Sequence, residues 1–399
     1  MWIESIALYQ NNEPLKYQIP SLHGTRFNPE SIIVELAFSN KVTGYGESTP
    51  RFYVTGETCT SVIKVVQKCF ARIMFRTPVS TFSEVNRLLD ELERAGIASG
   101  IGPFNSALGA IDMAMLDALG KSQAVNIAEF IGPPTRTTIP YSISIPILPP
   151  ADLKKIISSL FKTASSSPTT ESTTKTITSD MGMEFQHFKI ILSASEDSNI
   201  RRTELIRNLM GDQVEIRFDA NGKLSFEQVR SNLEKLRVYR ISAIEQPAAK
   251  NDFDGLRKVR QTAEIPVIAD ESMCSIADAR TLIEKNACDV FNIKISKCGG
   301  LLRSLEIAKF AESQGIACQL GSHIGEAEIL AAAGRSFAKT APNLSIMEVG
   351  SFLLFDRQLG ELKEMPKLNK DIDNVGLGIS INSHILKKRY DSPIVIKPS

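Results

Sequence analysis

Eight short β-rich runs recur through the middle of the chain, and amphipathic helical stretches lie between them. From the second run to the eighth, the starts are separated by 27, 28, 23, 24, 27 and 28 residues. Most runs are apolar nearly throughout, as strands covered on both faces are. Eight β/α units at this spacing predict an α/β barrel, which typically needs ~250 residues. A doubly wound parallel sheet is the competing α/β fold. The runs are IPYSISI (139–145), HFKIIL (187–192), VEIRFD (214–219), SAIEQ (242–246), IPVIAD (265–270), DVFNIK (289–294), IACQLGS (316–322) and LSIMEV (344–349).

The regions around this repeat predict the domain organisation. Residues 1–135 carry three β-rich runs followed by three helical stretches, which indicates an α+β domain ahead of the barrel. We place the barrel at residues 136–359 and expect the tail, residues 360–399, to pack back on the N-terminal domain. The first gap between barrel runs is extended by residues 163–180, of which 12 are Ser or Thr. That composition buries little apolar surface, so we predict a surface insertion; a phosphorylated regulatory segment is the alternative.

Composition argues against several classes of protein. Lys plus Arg number 46 and Asp plus Glu number 45, and this balance argues against a nucleic-acid-binding surface. No apolar stretch reaches the ~20 residues that span a bilayer, and the first residues carry no secretory pattern. None of the six cysteines forms a C-x-x-C pair. We therefore expect reduced thiols in a cytoplasmic protein.

Three carboxylates stand at equivalent places on consecutive predicted strands. Asp219 ends VEIRFD, Glu245 ends SAIE and Asp270 ends IPVIAD. Reactive groups of such barrels lie at the carboxyl ends of the strands, and neighbouring strands are ~4.8 Å apart. An all-carboxylate set suits a hard cation, Mg²⁺ before Mn²⁺. The alternative is three separate acids that cap helices or form salt bridges.

Two lysines accompany these acids. Lys294 ends the sixth run and Lys189 lies in the second. Burial and neighbouring cations lower the pKa of a lysine, so either side chain is a candidate acid or base. We assign the proton-transfer role to Lys294 because of its place at a strand end. For Lys189, catalysis and simple pairing with the carboxylates stay open.

Seven stretches of the chain, in their order and intervals, resemble one family. The chain resembles the enolase superfamily, and within it the mandelate racemase/muconate lactonizing enzyme family and its muconate cycloisomerase-like subgroup. The stretches are GYGESTP (44–50), ALGAIDMAMLDALGK (107–121), FKI (188–190), FDANG (218–222), IEQP (244–247), ADES (269–272) and NIKISKCGG (292–300).

This resemblance implies both a fold and a reaction. The implied fold is a (β/α)7β barrel with an N-terminal α+β capping domain, to which the C-terminal segment returns. The implied metal is Mg²⁺ on Asp219, Glu245 and Asp270. The implied chemistry is removal of the proton α to a carboxylate, which gives an enolate. Members of the family are commonly homo-oligomers, dimers or octamers.

The second predicted strand departs from the family pattern. Relatives carry Lys-x-Lys there, with the second lysine as a base, whereas this chain reads Lys189-Ile190-Ile191. Residues 189 and 191 face the same side of a strand, so Ile191 stands where the usual base belongs. A racemase with two bases is therefore in doubt, unless Lys189 takes over that role.

The last two predicted strands also depart from the pattern. Strand seven ends Ser322-His323-Ile324-Gly325-Glu326, which places the acid one residue later than in relatives. His323 and Glu326 are our candidates for substrate contact. For His323, a role as an acid and a purely structural role stay open. Strand eight lacks the Asp-x-Asp by which dipeptide epimerases hold the substrate amino group, and its EVGSFLL run resembles the muconate branch. A dipeptide substrate is therefore disfavoured.

Specificity in this family comes from capping loops, here near residues 20–30 and 47–56. Arg26 and Arg51 are candidates to meet a second carboxylate or polar group of the substrate. Phe52 and Tyr53 are candidates for an apolar wall. Ordinary surface arginines and a packed aromatic pair are the alternative.

Three functions follow. The first is a Mg²⁺-dependent isomerase or lyase acting on a small carboxylate, muconate cycloisomerase-like, with Lys294 as base. The second is a racemase or epimerase of an acyl amino acid or related acid. The third is a catalytically silent barrel that keeps the metal, which Ile191 would permit.

Overall fold

A computed structural model describes residues 1–15, 19–26, 28–160, 177–178, 184–348, 375–390 and 393–398. The described N-terminal part is an α+β unit of five strands and six α-helices, with a π-helical segment, Val66–Phe70, between the second and third of these helices. The strands are β1 (Ile3–Asn11), β2 (Ile19–Ser21), β3 (Gly24–Arg26), β4 (Ser31–Phe38) and β5 (Thr43–Ser48). The helices are α1 (Phe52–Thr55), α2 (Cys59–Val65), α3 (Ala71–Met74), α4 (Phe82–Ser99), α5 (Asn105–Gln123) and α6 (Ala128–Ile131).

Strands β1, β4 and β5 form an antiparallel sheet against which the buried helix α5 packs. Two glycines of β5 allow the two backbones to approach closely. A Cβ atom on Gly46 would lie 1.9 Å from the carbonyl oxygen of Ala110, and one on Gly44 would lie 2.0 Å from that of Ala114. This strand therefore requires glycine wherever it crosses the helix.

The middle of the chain is a closed barrel of eight parallel strands. Its first strand, β6 (Tyr141–Ile145), pairs with both β8 (Glu184–Ile191) and β14 (Leu344–Glu348), which closes the sheet. Seven helices alternate with the eight strands, so the barrel is (β/α)7β and the predicted fold is confirmed. The other barrel strands are β9 (Glu215–Asp219), β10 (Ile241–Glu245), β11 (Val267–Ala269), β12 (Val290–Ile293) and β13 (Ala317–Leu320). The helices are α7 (Pro150–Leu160), α8 (Glu196–Met210), α9 (Phe226–Leu236), α10 (Phe253–Thr262), α11 (Ile276–Glu284), α12 (Leu301–Ser313) and α13 (Glu328–Thr340). A two-residue strand, β7 (Ile177–Thr178), pairs antiparallel with β8.

Local signals explain where the barrel helices begin. The nitrogen of Gln228 donates to the Ser225 hydroxyl at 3.2 Å, and the nitrogen of Ser225 donates to the Gln228 side chain at 2.9 Å. This reciprocal cap starts α9 where the sequence predicts it. Throughout the described ranges, each helix is either too short or too polar to cross a membrane.

The described part of the tail contacts the N-terminal unit. It contains α14 (Ser383–Arg389) and β15 (Ile394–Ile396), which pairs antiparallel with β1. The Tyr390 hydroxyl donates to Asn11 Oδ1 at 2.8 Å. The domain limits at residues 135 and 359 stay predictions, and the insertion at 163–180, apart from β7, lies outside the described residues.

Two buried carboxylates of the N-terminal unit join it to the barrel at helix starts. Asp112 Oδ2 accepts from the nitrogens of Leu301 and Leu302 at the start of α12. Glu47 accepts from the nitrogen of Ala327 at 2.8 Å and from that of Leu330 at 3.1 Å, at the start of α13. Carboxyl oxygens accept hydrogen bonds from the main-chain N–H groups that have no partner within the first turn of a helix, so these contacts hold the cap over the carboxyl edge of the barrel.

The Glu47 contact predicts a pH-dependent stability. Burial raises the pKa of Glu47 to about 8, and the nearby Glu326 and Glu328 carboxylates add to the shift. The contribution of Glu47 to stability is therefore fully present below its unfolded-state pKa of about 4.3 and is lost as the pH rises through about 8. We expect Glu47→Gln to remove this part of the decline, measured as the free energy of unfolding in urea at pH 5 and pH 8. Equal declines in the variant and the wild type would contradict the prediction.

Candidate functional site

Three buried carboxylates lie at the carboxyl edge of the barrel, where three neighbouring strands end. Asp219 is the last residue of β9, Glu245 is the last residue of β10, and Asp270 directly follows β11. Glu245 lies opposite Asp219 in the strand register. Their exposed fractions are 3%, 0% and 1%. The structure thus places the three predicted metal ligands on adjacent strands at one edge.

Lys189 of β8 lies among carboxylates. Its Nζ is 2.7 Å from Glu348 Oε1, 2.9 Å from Glu245 Oε1 and 3.5 Å from Asp219 Oδ2. Burial favours the neutral amine, but these carboxylates, Glu245 first, raise the pKa of Lys189 well above its usual value. Lys189 is therefore an internal ammonium that balances the charge of the acids around it.

Asp270 is held by two lysines. Its Oδ2 is 2.5 Å from Lys294 Nζ, and its Oδ1 is 2.7 Å from Lys297 Nζ. Burial alone would raise the pKa of Asp270, but the two ammonium groups hold it well below its usual range. Burial likewise opposes the charge of Lys294, yet Asp270 raises the pKa of this amine. Lys294 is thus protonated for as long as Asp270 is its ion-pair partner.

The donor set fits a divalent cation, although lysines pair with it here. Among the described residues, no group of three or more His, Cys, Asp and Glu side chains is arranged to hold a metal ion as it stands. However, Glu271 adds a further buried carboxylate, and its Oε2 has no hydrogen-bond partner. Burial and the charges of Asp270 and Asp219 raise the pKa of Glu271 to about 8. A cation beside Asp219, Asp270 and Glu271 would offset this burial and repulsion and favour the ionised carboxylate, which is the type of ligand that Mg²⁺ binds.

An apolar side chain occupies the second-strand position beside these acids. Ile191 ends β8 and lies opposite Asp219 in the register, and its side chain is 6% exposed. Lys189 and Ile191 are two positions apart, so their side chains point to the same side of the strand. The edge of the barrel at strand two therefore holds no proton-transfer group at the level of Asp219.

His323 and Glu326 lie at the same edge, both buried, but in the loop that follows β13 rather than in the strand, which ends at Leu320. His323 Nδ1 is 3.3 Å from the Thr49 hydroxyl of the cap. The main-chain nitrogen of His323 donates to Glu326 Oε1 at 2.6 Å. Burial, followed by Lys294 and Arg51, lowers the pKa of His323 well below its usual value, so its ring is neutral. Burial raises the pKa of Glu326 to about 7.

The predicted cap residues have different placements. Arg51 is buried and donates to the carbonyl oxygens of Pro50 at 2.6 Å, of Glu30 at 3.0 Å and of Ile324. The contact with Ile324 ties the cap loop to the barrel. Tyr53 stacks on His23 with ring centres 3.7 Å apart. Phe52 is 74% exposed. Arg26 lies in β3, and its side chain is outside the described residues. Their roles toward a substrate stay predictions.

Sequence reasoning missed several buried polar side chains that bind the metal-site carboxylates, directly or through one another. Lys297 is fully buried, and besides Asp270 it reaches the carbonyl oxygen of Asn292 at 2.8 Å. Gln319 and Arg217 lie inside the barrel at 1% and 2% exposure. The sequence signal that could have found Arg217 and Gln319 is a charged or amide side chain at a central position of a predicted strand, as in EIRFD and ACQL.

Comparisons with known proteins agree with this geometry. The family model described as "Mandelate racemase / muconate lactonizing enzyme, N-terminal domain" matches residues 5–132, and "Enolase C-terminal domain-like" matches residues 174–385. The N-succinyl-L-Arg/Lys racemase of Bacillus cereus is 26% identical over 97% of this chain and 98% of its own. Its crystal structure superposes with a TM-score of 0.83 at 24% identity, over 100% of both chains.

Two further proteins that are similar to this chain have other activities. The hydrophobic dipeptide epimerase of Enterococcus faecalis is 26% identical over 86% of this chain and 89% of its own. The 2-chloromuconate cycloisomerase of Rhodococcus opacus superposes with a TM-score of 0.81 at 22% identity, over 98% and 99% of the two chains. With both of its domains matched, the chain belongs to the mandelate racemase/muconate lactonizing enzyme family of the enolase superfamily.

Proposed function

We propose that this chain is a Mg²⁺-dependent enzyme that removes the proton α to the carboxylate of a small acid, with Lys294 as the base. The observation that carries the proposal is the pairing of Lys294 with Asp270 at the carboxyl edge of the barrel, 2.5 Å apart. One side chain would thus meet the substrate and the other the cation. Mn²⁺ is the second choice of metal, and a dimer or octamer stays a prediction.

Asp219, Glu245 and Asp270 would hold the metal. Mg²⁺ bound there would act as a Lewis acid that stabilises negative charge developing on the substrate carboxylate. The buried Glu271 carboxyl supports a cation at this place, because its Oε2 has no hydrogen-bond partner and burial with Asp270 and Asp219 raises its pKa to about 8. The Enterococcus faecalis epimerase, for its part, has been crystallised with Mg and a dipeptide.

Lys294 must lose a proton before it can accept one from the substrate. Its ion pair with Asp270 keeps the amine charged. A cation that engages Asp270 would weaken this pair, and the positive charge of Lys189 and Lys297 would then favour the neutral amine. The neutral amine would thus be available only when a cation engages Asp270, which would limit proton transfer to the complex that can stabilise the developing negative charge.

The geometry favours proton transfer on one face of the substrate. Ile191 offers no proton, and Lys189 is surrounded by Glu245, Glu348 and Asp219. Even with a cation on Asp219 and Glu245, Lys189 would keep Glu348, 2.7 Å away, as its ion-pair partner, so Lys189 is a poor second base. We therefore propose that Lys294 removes the proton. If Lys294 also returned it to the same face, only hydrogen exchange would result, so a net reaction requires proton delivery to the opposite face, as in a racemase or epimerase, or loss of a group from the β-carbon, as in a lyase.

The relatives favour an amino acid derivative over a muconate as substrate. They include a racemase of N-succinyl Arg/Lys and epimerases of dipeptides, so they support the racemase or epimerase alternative better than a cycloisomerase or a lyase. Glu348 is turned toward Lys189, so its carboxylate already has a cation partner in place of a substrate amino group. We therefore propose an N-acyl amino acid rather than a dipeptide with a free amine.

The test is hydrogen exchange in heavy water. N-succinyl amino acids, dipeptides and small unsubstituted carboxylates are incubated with enzyme and Mg²⁺, the α-hydrogen is followed by proton NMR, and configuration is followed by chiral chromatography. We expect exchange of the α-hydrogen of N-acyl substrates, and retained configuration would show that Lys294 acts alone. Inversion would instead establish the two-base racemase or epimerase.

A silent barrel is the remaining alternative, and Ile191 is the observation that favours it. Absence of exchange and of product across the whole set, with Mg²⁺ still bound, would support a binding protein and contradict the enzyme.

A further inference from the structure

A chain of polar side chains crosses the inside of the barrel beneath the acids. Arg217 of β9 donates from Nη2 to the Ser142 hydroxyl of β6 at 2.7 Å and from Nη1 to the side-chain oxygen of Gln319 on β13. Gln319 Nε2 in turn donates to Glu245 Oε2 at 2.8 Å. Barrel interiors are ordinarily filled by branched apolar residues, so a buried guanidinium and amide here have a cost that needs a reason.

The chemistry of the three groups fixes the direction of the chain. A guanidinium only donates hydrogen bonds, and an ionised carboxylate only accepts them. A glutamine between Arg217 and Glu245 must therefore turn its oxygen to the arginine and its NH₂ group to the carboxylate. Because Ser142 anchors the other arm of the guanidinium, the amide of Gln319 has one orientation available to it.

The second oxygen of Glu245 is held in the same way. Asn292 of β12 donates from Nδ2 to Glu245 Oε1 at 2.9 Å, alongside Lys189 at 2.9 Å. Gly321 leaves room for this side chain, because a Cβ atom there would lie 2.2 Å from Asn292 Oδ1. Donors from three strands thus set the plane of the Glu245 carboxylate.

We infer that Gln319 is a positioning residue for Glu245 and that Arg217 fixes the orientation of the Gln319 amide. The inference rests on the metal site of the proposed function. Gln319 holds the carboxylate in one orientation before a cation arrives, so the cation does not have to order it. Outer partners of metal ligands typically contribute 10–100-fold to metal affinity.

Gln319→Met keeps the volume of the side chain and removes both hydrogen bonds. We expect this variant to bind Mg²⁺ about 10–100-fold more weakly, measured by calorimetry and, with Mn²⁺ as the probe, by electron paramagnetic resonance. If Gln319→Met does not fold, Ser142→Ala frees one arm of Arg217 and should weaken Mg²⁺ binding in the same direction by a smaller factor.

The matched control is a buried amide away from the acids. Asn199 donates to the Ser193 carbonyl oxygen at 2.9 Å and to Asn232 Oδ1 at 2.7 Å. Asn199→Leu should lower thermal stability and leave the Mg²⁺ affinity of the folded protein unchanged. If this variant weakens Mg²⁺ binding as much as Gln319→Met does, the effect is general loosening and the inference is overturned.

The two proposals fail separately. If the wild type binds Mg²⁺ but exchanges no α-hydrogen, the proposed function fails and the role of Gln319 is supported by the affinity loss alone. If the wild type exchanges and the folded variant, Gln319→Met or else Ser142→Ala, binds Mg²⁺ as tightly as it does, the role of Gln319 is overturned. A wild type that binds no Mg²⁺ overturns both.

Discussion

Lys294→Ala is expected to lower the rate of α-hydrogen exchange by about 10²–10⁴-fold, the usual cost of losing a general base. The physical reason is that Lys294 is the lysine at the end of the sixth barrel strand, with Ile191 rather than a second base at the level of Asp219 on strand two. The measurement is proton NMR in heavy water with Mg²⁺ present. Mg²⁺ affinity is measured on the same sample, so that loss of the base is separated from loss of the metal.

Two further variants make this prediction specific. Lys285→Ala removes a lysine whose partner is Asp254, 3.7 Å away, and should exchange at the wild-type rate. Lys189→Ala should slow exchange less than Lys294→Ala, or should mainly shift the pH optimum upward, because a nearby ammonium lowers the pKa of its neighbour. If Lys294→Ala kept full exchange and Lys189→Ala lost it, the assignment of the base would be reversed.

The barrel could be predicted from sequence because its signals are local. Most barrel strands are buried on both faces and therefore read as apolar runs, and each predicted run overlaps an observed strand, as 214–219 does with Glu215–Asp219. The N-terminal capping box of α9 is formed by two residues three positions apart, Ser225 and Gln228. The three acids could be placed together for the same reason, since parallel strands all end at one edge.

The support beneath the acids could not be predicted, because its contacts join residues far apart in the chain. Gln319 and Glu245 are 74 positions apart, and Arg217 and Gln319 are 102 apart. A polar residue in an apolar strand signals that a partner exists without saying which one. Arg51 illustrates the same limit, because its buried partners are main-chain carbonyl oxygens, which no side-chain pattern reveals.

Asp270→Asn is expected to weaken Mg²⁺ binding by more than ~100-fold, the upper end for loss of an outer partner, because here a ligand itself is lost. It is also expected to lower the free energy of unfolding of the metal-free protein by about 3–5 kcal/mol, since Lys294 and Lys297 lose the carboxylate that compensates their buried charge. Calorimetry with Mg²⁺ measures the first effect, and urea unfolding in the presence of a chelator measures the second.

The two effects of Asp270→Asn distinguish a metal ligand from a simple ion-pair partner. Asp278→Asn is the matched control, because that acid accepts from the Cys274 nitrogen at 3.0 Å and the Ser275 hydroxyl at 2.9 Å, and its variant should bind Mg²⁺ as the wild type does. If Asp270→Asn is destabilised but binds Mg²⁺ with unchanged affinity, Asp270 serves only to neutralise lysines. The cation site would then lie elsewhere, and Lys294 would lose the arrangement that frees it to act as a base.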